Sequence, residues 1–305
     1  MKKIANRILF LLVIGSLLLA SCNANTKSGV RYDIDFGTIT GDHWDISEIE
    51  VDYDVNILMK KIPQGSWNVY KSISIKDYAE IAGKFGFTEN QIVSRDSDSV
   101  SYRAENDTQT RRLIVWSTGR FSYDTGTKQT SFETTLSKED CIELSKDVIR
   151  EYGLTSNMFD DECTVSETVL TTPSINESKI TGYTIHLYFL FDGIKMLGEP
   201  RLNIKFNGNG EVVRIMYNMP DYQKIGPADI KTLEQALTSI EQGATPMMYG
   251  LDEAPNRISI NDVELCYYSQ SNESNEAIAQ PVYLFSATGH YEYGDEPFNI
   301  LVQAN

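Results

Sequence analysis

Apolar side chains recur at every third or fourth position in three stretches of the chain. This spacing places them along one face of an α-helix. Each stretch opens on a capping or turn residue and closes on a glycine, a residue that readily adopts the left-handed conformation at a helix end. The pattern therefore predicts three amphipathic helices, over residues 74–86, 137–153 and 226–243.

Between and after these helices the apolar period changes to two, which is typical of strands with one buried face. The predicted strands cover residues 99–104, 111–123, 183–191, 201–206, 211–217, 258–269, 281–287 and 297–302. Asp192-Gly193 and the run Asn207–Gly210 supply turn residues. Their connections are too short for crossovers, so the strands are expected to be antiparallel. We expect an α+β fold of repeated units, each with one amphipathic helix plus antiparallel β-strands, in two lobes.

The first 22 residues have a different pattern. Lys2, Lys3 and Arg7 precede an apolar run over residues 8–19, and small residues then lead to Cys22. This order predicts a secretory signal peptide, and its end resembles the lipobox of bacterial lipoproteins, in which the thiol takes the lipid. The run is shorter than the ~20 residues that span a bilayer. We therefore expect the chain to be cleaved before Cys22 and anchored to the cell membrane on its extracytoplasmic side.

These patterns also suggest a division of the chain. Residues after the signal peptide are first small and polar, as in a flexible tether, and residues 31–66 are poorly patterned and rich in acids. The predicted division is a signal peptide over 1–21, a tether over 22–30, an N-terminal α+β lobe over 31–135 and a C-terminal lobe over 136–305, itself two helix-plus-sheet units over 136–226 and 227–305.

The charge of the chain excludes some functions. It has 43 acidic and 27 basic residues among 305, and a formal net charge of −16. Nucleic-acid binding needs clustered Lys and Arg, and no basic stripe is present, so no nucleic-acid partner is expected. An apolar fraction of 41% argues against a disordered chain. The acidity favours a protein partner with a basic surface and keeps a tethered domain off anionic lipid.

One region resembles known proteins. The carrying residues are Tyr183–Phe191, Asp192-Gly193-Ile194, Arg201–Phe206 and Asn209–Val212, with Val263–Tyr268 and Pro281–Phe285 further on. This order is similar to PepSY-like modules and to the YycH/YycI family of extracytoplasmic regulatory proteins. The resemblance implies a surface-anchored, non-enzymatic protein that regulates a membrane sensor. Those family members keep an uncleaved transmembrane helix, whereas this chain has the predicted lipid anchor.

Candidate catalytic chemistry is sparse. The sequence contains no GxSxG, HExxH or P-loop motif. His186 alternates with apolar residues and is predicted on the polar side of a strand, while His43 and His290 stand beside glycines and are predicted to be surface residues. We therefore expect no enzyme activity and no cofactor. An envelope hydrolase is the least supported alternative.

Two groups of residues are weaker candidates for ligand contacts. Acids two positions apart would share a strand face, which suggests either weak Ca²⁺ binding or a solvated acidic edge that discourages aggregation. These acids are Asp33, Asp35, Glu48, Glu50, Asp52 and Asp54. The solvated edge is the preferred interpretation, so no metal site is predicted. Trp44 and Trp67 are the candidate contacts for a glycan or peptide ligand.

The cysteines after Cys22 allow two interpretations. Cys141, Cys163 and Cys266 are expected to be small buried hydrophobic residues. The alternative is a disulfide between Cys141 and Cys163. With the anchor, these features predict a non-catalytic lipoprotein that binds or regulates a protein partner at the cell envelope. The alternative is a glycan- or peptide-binding lipoprotein.

Overall fold

The computed structural model describes most of the chain after residue 45. The described residues are 46–62, 66–75, 77–106, 109–154, 158–172, 177–191, 193–242, 247–249, 253–271 and 277–305. The predicted signal peptide and tether, Cys22, His43 and Trp44 lie outside them, so the lipid anchor stays a prediction.

Strands dominate the described residues. The helices are α1 (Val55–Met59), α2 (Tyr78–Lys84), α3 (Lys138–Glu151) and α4 (Leu233–Glu241), with 3-10 turns at Ile46–Glu48 and Glu89–Gln91. The strands are β1 (Glu50–Asp52), β2 (Asn68–Ser72), β3 (Ile92–Arg95), β4 (Ser99–Glu105), β5 (Thr110–Trp116), β6 (Phe121–Asp124), β7 (Phe159–Thr172), β8 (Glu177–Phe191), β9 (Ile194–Gly198), β10 (Arg201–Asn207), β11 (Val212–Tyr217), β12 (Tyr222–Pro227), β13 (Met247–Tyr249), β14 (Arg257–Ser271), β15 (Ala277–Tyr291) and β16 (Gly294–Gln303).

All sixteen strands belong to one sheet, which we divide into two wings. The main path runs β12-β2-β15-β14-β9-β8-β10-β11-β6-β5-β4-β3, and β1, β7, β13 and β16 branch from it. The first wing contains β3–β8, β10 and β11, with α2 packed on β5 and α3 on β8. The second wing contains β1, β2, β9 and β12–β16, with α1 against β14 and α4 against β16. The path crosses between the wings at the β8–β9 hairpin.

The fold class differs from the prediction. The structure is a mixed, strand-dominated fold with one large sheet, and repeated helix-plus-sheet units do not clearly organise it. The expectation of purely antiparallel pairing is also wrong, because β14 pairs in parallel with both β1 and β9. The edge of a strand can pair with any strand that the tertiary fold places beside it. The order of the strands along the chain does not reveal pairs between such distant segments.

The predicted α3 helix is confirmed, including its start. The backbone N–H of Asp140 donates to Ser137 Oγ at 3.1 Å, and the N–H of Ser137 donates to Asp140 Oδ2 at 2.9 Å. This is a capping box, in which each side chain satisfies a backbone donor of the other residue. The Asn207–Gly210 hairpin is confirmed as well, between β10 and β11.

The other two predicted helices begin later than expected. Asp77, not Ser74, caps α2, since its Oδ1 accepts from the backbone N–H groups of Ala79 and Glu80. Pro227 ends strand β12 instead of opening a helix, and α4 begins after Thr232. A proline fits either the last position of an edge strand or the first turn of a helix, so its local sequence could not separate the two.

An aromatic cluster packs where the wings meet. We call Trp67, Tyr70, Phe191, Tyr222 and Tyr267 the junction cluster. Phe191 comes from β8 of the first wing, and its ring centroid lies 4.6 Å from that of Tyr70 and 5.5 Å from that of Tyr267. Edge-to-face pairs at such distances add to the burial of apolar area, so this cluster stabilises the contact between the wings.

Candidate functional site

Strand β7 has one edge with which no strand of the described residues pairs. Among the residues that the structure describes, β7 pairs only with β8. We call the side of Phe159–Thr172 away from β8 the β7 edge. Backbone N–H and C=O groups along such an edge form a template on which an extended segment of another chain can pair. Most β7 side chains are exposed, so the β7 edge is accessible within the described fold.

The β7 edge differs from the two ends of the main sheet path. At one end, β3 has four residues and an irregular register between Ile92 and Ser94. At the other end, β12 carries Pro227 and a register shift, and both features weaken pairing with a further strand. β7 has 14 residues, and its pairing with β8 is regular over Cys163–Thr168. It is therefore the longer template.

Acidic side chains surround the β7 edge, and Lys195 and Lys138 partly neutralise them, the latter through Glu167. Lys195 Nζ lies 2.8 Å from Glu162 Oε2 and 3.6 Å from Asp160 Oδ2. Burial lowers the pKa of Lys195, but its hydrogen bond to Glu162 and the nearby carboxylates outweigh this effect and raise the pKa. Lys195 therefore stays charged at neutral pH. Asp161 remains exposed beside this group, so the edge keeps an acidic character.

The far end of β7 also exposes apolar side chains. Val169 is 51% exposed and Leu170 is 43% exposed. Successive residues of a strand point to opposite faces, so these two side chains offer one apolar contact on each face of the hairpin. A partner strand that pairs with the β7 edge would therefore contact backbone groups, acidic side chains and apolar side chains.

Two of the acids predicted near the N-terminus, Asp52 and Asp54, have structural contacts, whereas Glu48 and Glu50 are exposed. Asp52 Oδ2 accepts from Arg257 Nη1 at 3.2 Å. Asp54 caps α1, because its Oδ1 accepts from the backbone N–H of Asn56 at 2.9 Å. Asp33 and Asp35 lie outside the described residues. Within the described ranges no three His, Cys, Asp or Glu side chains group as a metal site would require.

Trp67 lies in the core. Its side chain is buried, and its ring centroid is 5.6 Å from that of Tyr267 in the junction cluster. The indole therefore packs between strands and has almost no exposed face to offer a ligand. Trp44, its companion in the prediction, lies outside the described residues.

His186 joins three strands on the polar face of the first wing. Its Nε2 lies 2.8 Å from Ser166 Oγ on β7, and its Nδ1 lies 2.8 Å from Asn203 Oδ1 on β10. The flanking Ile185 and Leu187 are buried, as the predicted alternation requires. Both ring nitrogens thus have hydrogen-bond partners across the sheet.

His290 has the same kind of environment in the second wing. Its Nε2 lies 2.8 Å from Ser259 Oγ on β14, and its Nδ1 lies 2.7 Å from Asp295 Oδ1 on β16. Sequence reasoning treated His290 as an ordinary surface residue and missed this arrangement. Ser259 and His290 meet only through the register of strands β14 and β15. The spacing of Ser259, His290 and Asp295 in the sequence does not indicate that they are close in space.

The three described cysteines are free thiols, so the alternative of a Cys141–Cys163 disulfide is wrong. Cys141 and Cys266 are buried, as predicted, whereas Cys163 is half-buried. Burial raises the pKa of Cys141 to about 11 and that of Cys266 to about 12. Both thiols are therefore protonated at neutral pH and are poor nucleophiles.

Comparisons with known proteins identify no family for this chain. No protein-family model matches it, and no curated protein matches it significantly in sequence. Its fold is similar to an uncharacterized protein from Eubacterium rectale ATCC 33656, with a TM-score of 0.45 and 11% identity over 78% of this chain and 82% of that chain. It is also similar to the Bacillus megaterium YpeB C-terminal domain, with a TM-score of 0.36 and 11% identity over 76% of this chain and 94% of that domain. The YycH/YycI resemblance stays a prediction.

None of the helices in the described part of the chain combines the length and the apolar character needed to cross a membrane.

Proposed function

We propose that this chain is a membrane-anchored lipoprotein of the bacterial cell envelope, held by lipid on Cys22, that binds or regulates a protein partner, a role that requires no catalysis. The observation that carries the proposal is the β7 edge, which offers backbone groups for strand addition. The lipobox-like end of the apolar N-terminus supports the location.

The chemical groups along the β7 edge indicate what kind of segment a protein partner would present. Backbone pairing requires an extended segment, and the acidic surroundings of Asp161 and Glu162 favour Lys or Arg in that segment. Association driven by such charges weakens as salt screens them. The partner is therefore an envelope protein with an exposed, basic, extended stretch.

Site-specific crosslinking in intact cells tests this function. A photo-crosslinking amino acid placed at exposed Thr164 or Thr171 of the full-length chain should capture one envelope protein. The same amino acid at Val93, an exposed position on edge strand β3, should not capture it. Asp161→Lys should reduce the capture, whereas Glu89→Lys, the same charge change elsewhere in the first wing, should leave it intact.

Two outcomes would contradict the proposal. One is capture of the same proteins from Thr164, Thr171 and Val93 alike, and the other is no capture from any position. Loss of the chain from the membrane fraction after Cys22→Ser tests the anchor separately, so the two parts of the proposal fail independently.

A second candidate function, glycan or peptide binding, is favoured by the β15–β16 turn. Tyr293 is 63% exposed and stacks on Tyr291, with ring centroids 4.9 Å apart and planes 15° from parallel. An exposed aromatic face of this kind can bind a sugar ring. Titration with cell-wall glycan fragments, followed by tyrosine fluorescence, should give saturable binding that Tyr293→Ala abolishes. Unchanged fluorescence would exclude this candidate.

A further inference from the structure

Ser259, His290 and Asp295 form a hydrogen-bonded row across three strands of the second wing. Asp295 lies directly opposite His290, while Ser259 lies opposite Thr288, two residues before the histidine. Residues that face each other across an antiparallel pair share one face of the sheet. The adjacent Ile258 and Ala287 point into the core, so the row lies on the other face, where the His290 side chain is 23% exposed.

The two contacts of His290 assign its protons. An ionised carboxylate only accepts hydrogen bonds, so Asp295 Oδ1 requires the proton on His290 Nδ1. In a neutral imidazole the other nitrogen is then an acceptor, and Ser259 must donate its hydroxyl proton to Nε2. This is the arrangement in which a histidine acts as a general base toward a serine and a carboxylate stabilises the imidazolium that forms.

The first wing contains a neutral counterpart. Ser166, His186 and Asn203 have the same register, with Asn203 directly opposite His186 and Ser166 opposite Thr184, two residues before the histidine. The Asn203 amide carries no charge and can present either its oxygen or its nitrogen to the ring. It therefore neither selects the tautomer of His186 nor stabilises an imidazolium. One chain thus holds a charged row and a matched uncharged row.

Arg257 adds a positive charge to the charged row. It lies directly opposite His290 and two residues before Ser259, so the three side chains share one face. Its Nη1 donates to Asp52 Oδ2 at 3.2 Å, so this charge is ion-paired with a carboxylate on the neighbouring strand β1.

We propose that Ser259 is a nucleophile toward carboxylic esters, an activity beyond the proposed binding function and independent of it. Ser259 Oγ bonds to the ester carbonyl carbon while His290 Nε2 takes the hydroxyl proton. The alkoxide leaves with that proton as an alcohol, and the acyl group stays on Ser259. Water, deprotonated by His290, then releases the carboxylic acid and restores the serine. The sum is one ester and one water converted to one acid and one alcohol.

Labelling with a fluorophosphonate probe tests this proposal on the full chain. The serine oxygen bonds to phosphorus and fluoride leaves, so peptide mass spectrometry reads each serine separately. Ser259 should be labelled roughly tenfold or more faster than Ser166, because only its row has the carboxylate. Ser259→Ala should remove that label and the burst of 4-nitrophenolate from 4-nitrophenyl acetate, whereas Ser166→Ala should change neither.

Reciprocal substitutions make the test specific to the charge. Asp295→Asn should reduce labelling of Ser259 to the rate of Ser166, and Asn203→Asp should raise labelling of Ser166 toward the rate of Ser259. Circular dichroism should stay unchanged for both variants, since the rows lie outside the core. Equal labelling of the two serines, labelling of neither, or labelling of Ser259 that does not depend on Asp295 would overturn the proposal.

Discussion

The two wings of the sheet are assembled in different ways. In the first wing most pairs join neighbouring strands, as in β3-β4-β5-β6, β7–β8 and β10–β11. In the second wing the hairpins β14–β15–β16 are local, but Glu50 pairs with Arg257, Ser72 with Tyr222 and Lys71 with Ile278. The second wing is therefore complete only when strands from the beginning of the described chain have paired with strands near its end.

This difference has a consequence for folding. Pairing between distant segments must overcome the entropy of closing a long loop before it gains contact energy. The meander β3-β4-β5-β6 of the first wing closes only short loops, and a single long-range pair, β6–β11, joins it to the rest of that wing. We therefore expect the first wing to form earlier and the second to be completed when β1 and β2 dock. The junction cluster then couples the wings.

The largest expected effects come from matched core truncations, one in each wing. Phe206 in the first wing and Phe285 in the second are almost fully buried. Phe206→Ala and Phe285→Ala should each lower the free energy of unfolding by about 3–5 kcal/mol, since both leave a cavity. Urea unfolding followed by circular dichroism should show one transition in both variants. Two transitions would mean that the wings unfold independently.

A smaller truncation at the junction should separate the wings. Phe191 is half-buried, so we expect Phe191→Ala to cost about 2–3 kcal/mol, below the usual range for a fully buried phenylalanine. Variants that keep only Trp116, in β5, or only Trp67, beside β2, report on each wing by fluorescence. In the Phe191→Ala background the Trp67 signal should change at lower urea than the Trp116 signal. Coincident curves would show that other contacts couple the wings.

Helix caps allow a milder comparison. Ser137 caps α3 in the first wing and Thr232 caps α4 in the second, each in a capping box. Ser137→Ala and Thr232→Ala should each cost about 1 kcal/mol, measured as a shift of the urea midpoint. Ser137→Thr and Thr232→Ser keep the capping oxygen and are the controls. An alanine variant no less stable than its control would show that the cap contributes nothing there.

The smallest expected effect is a pH-dependent loss of Tm when one carboxylate in each wing is replaced. Hydrogen bonds from Ser137 hold the pKa of Asp140 below its ordinary value, and the hydrogen bond from Lys61 does the same for Asp262. A lowered folded pKa stabilises the protein above the unfolded pKa, and this stability is lost as pH falls through the folded pKa. Asp140→Asn and Asp262→Asn should therefore lower Tm at pH 7, and this loss of Tm should shrink steadily as the pH falls below the ordinary carboxylate pKa. A loss of Tm that stays the same across this pH range would contradict this prediction.

The strands and helices were predictable to different degrees. The period-two segments of β8, β10 and β14 were found because one face of each is buried, and α3 was found because its capping box is local. Strand β7 was missed, since most of its side chains are exposed on both faces and its acids hide the alternation. The candidate site was therefore the part least visible in the sequence: an edge strand must stay polar, and polar strands carry weak periodicity.

Local interactions determine which segments of this chain form helices and strands. Long-range strand pairing determines which of their side chains and edges form the candidate sites. Side-chain periodicity, caps and turn residues act within a few positions, so helix α3, the Asn207–Gly210 hairpin and most strands follow from the chain alone. The register that aligns Ser259, His290 and Asp295 depends on strand pairs that tertiary structure forms. The same holds for the free edge of β7 and for the docking of β1 and β2. These features depend on which edges remain unpaired after the whole sheet has assembled, and no short segment contains that information.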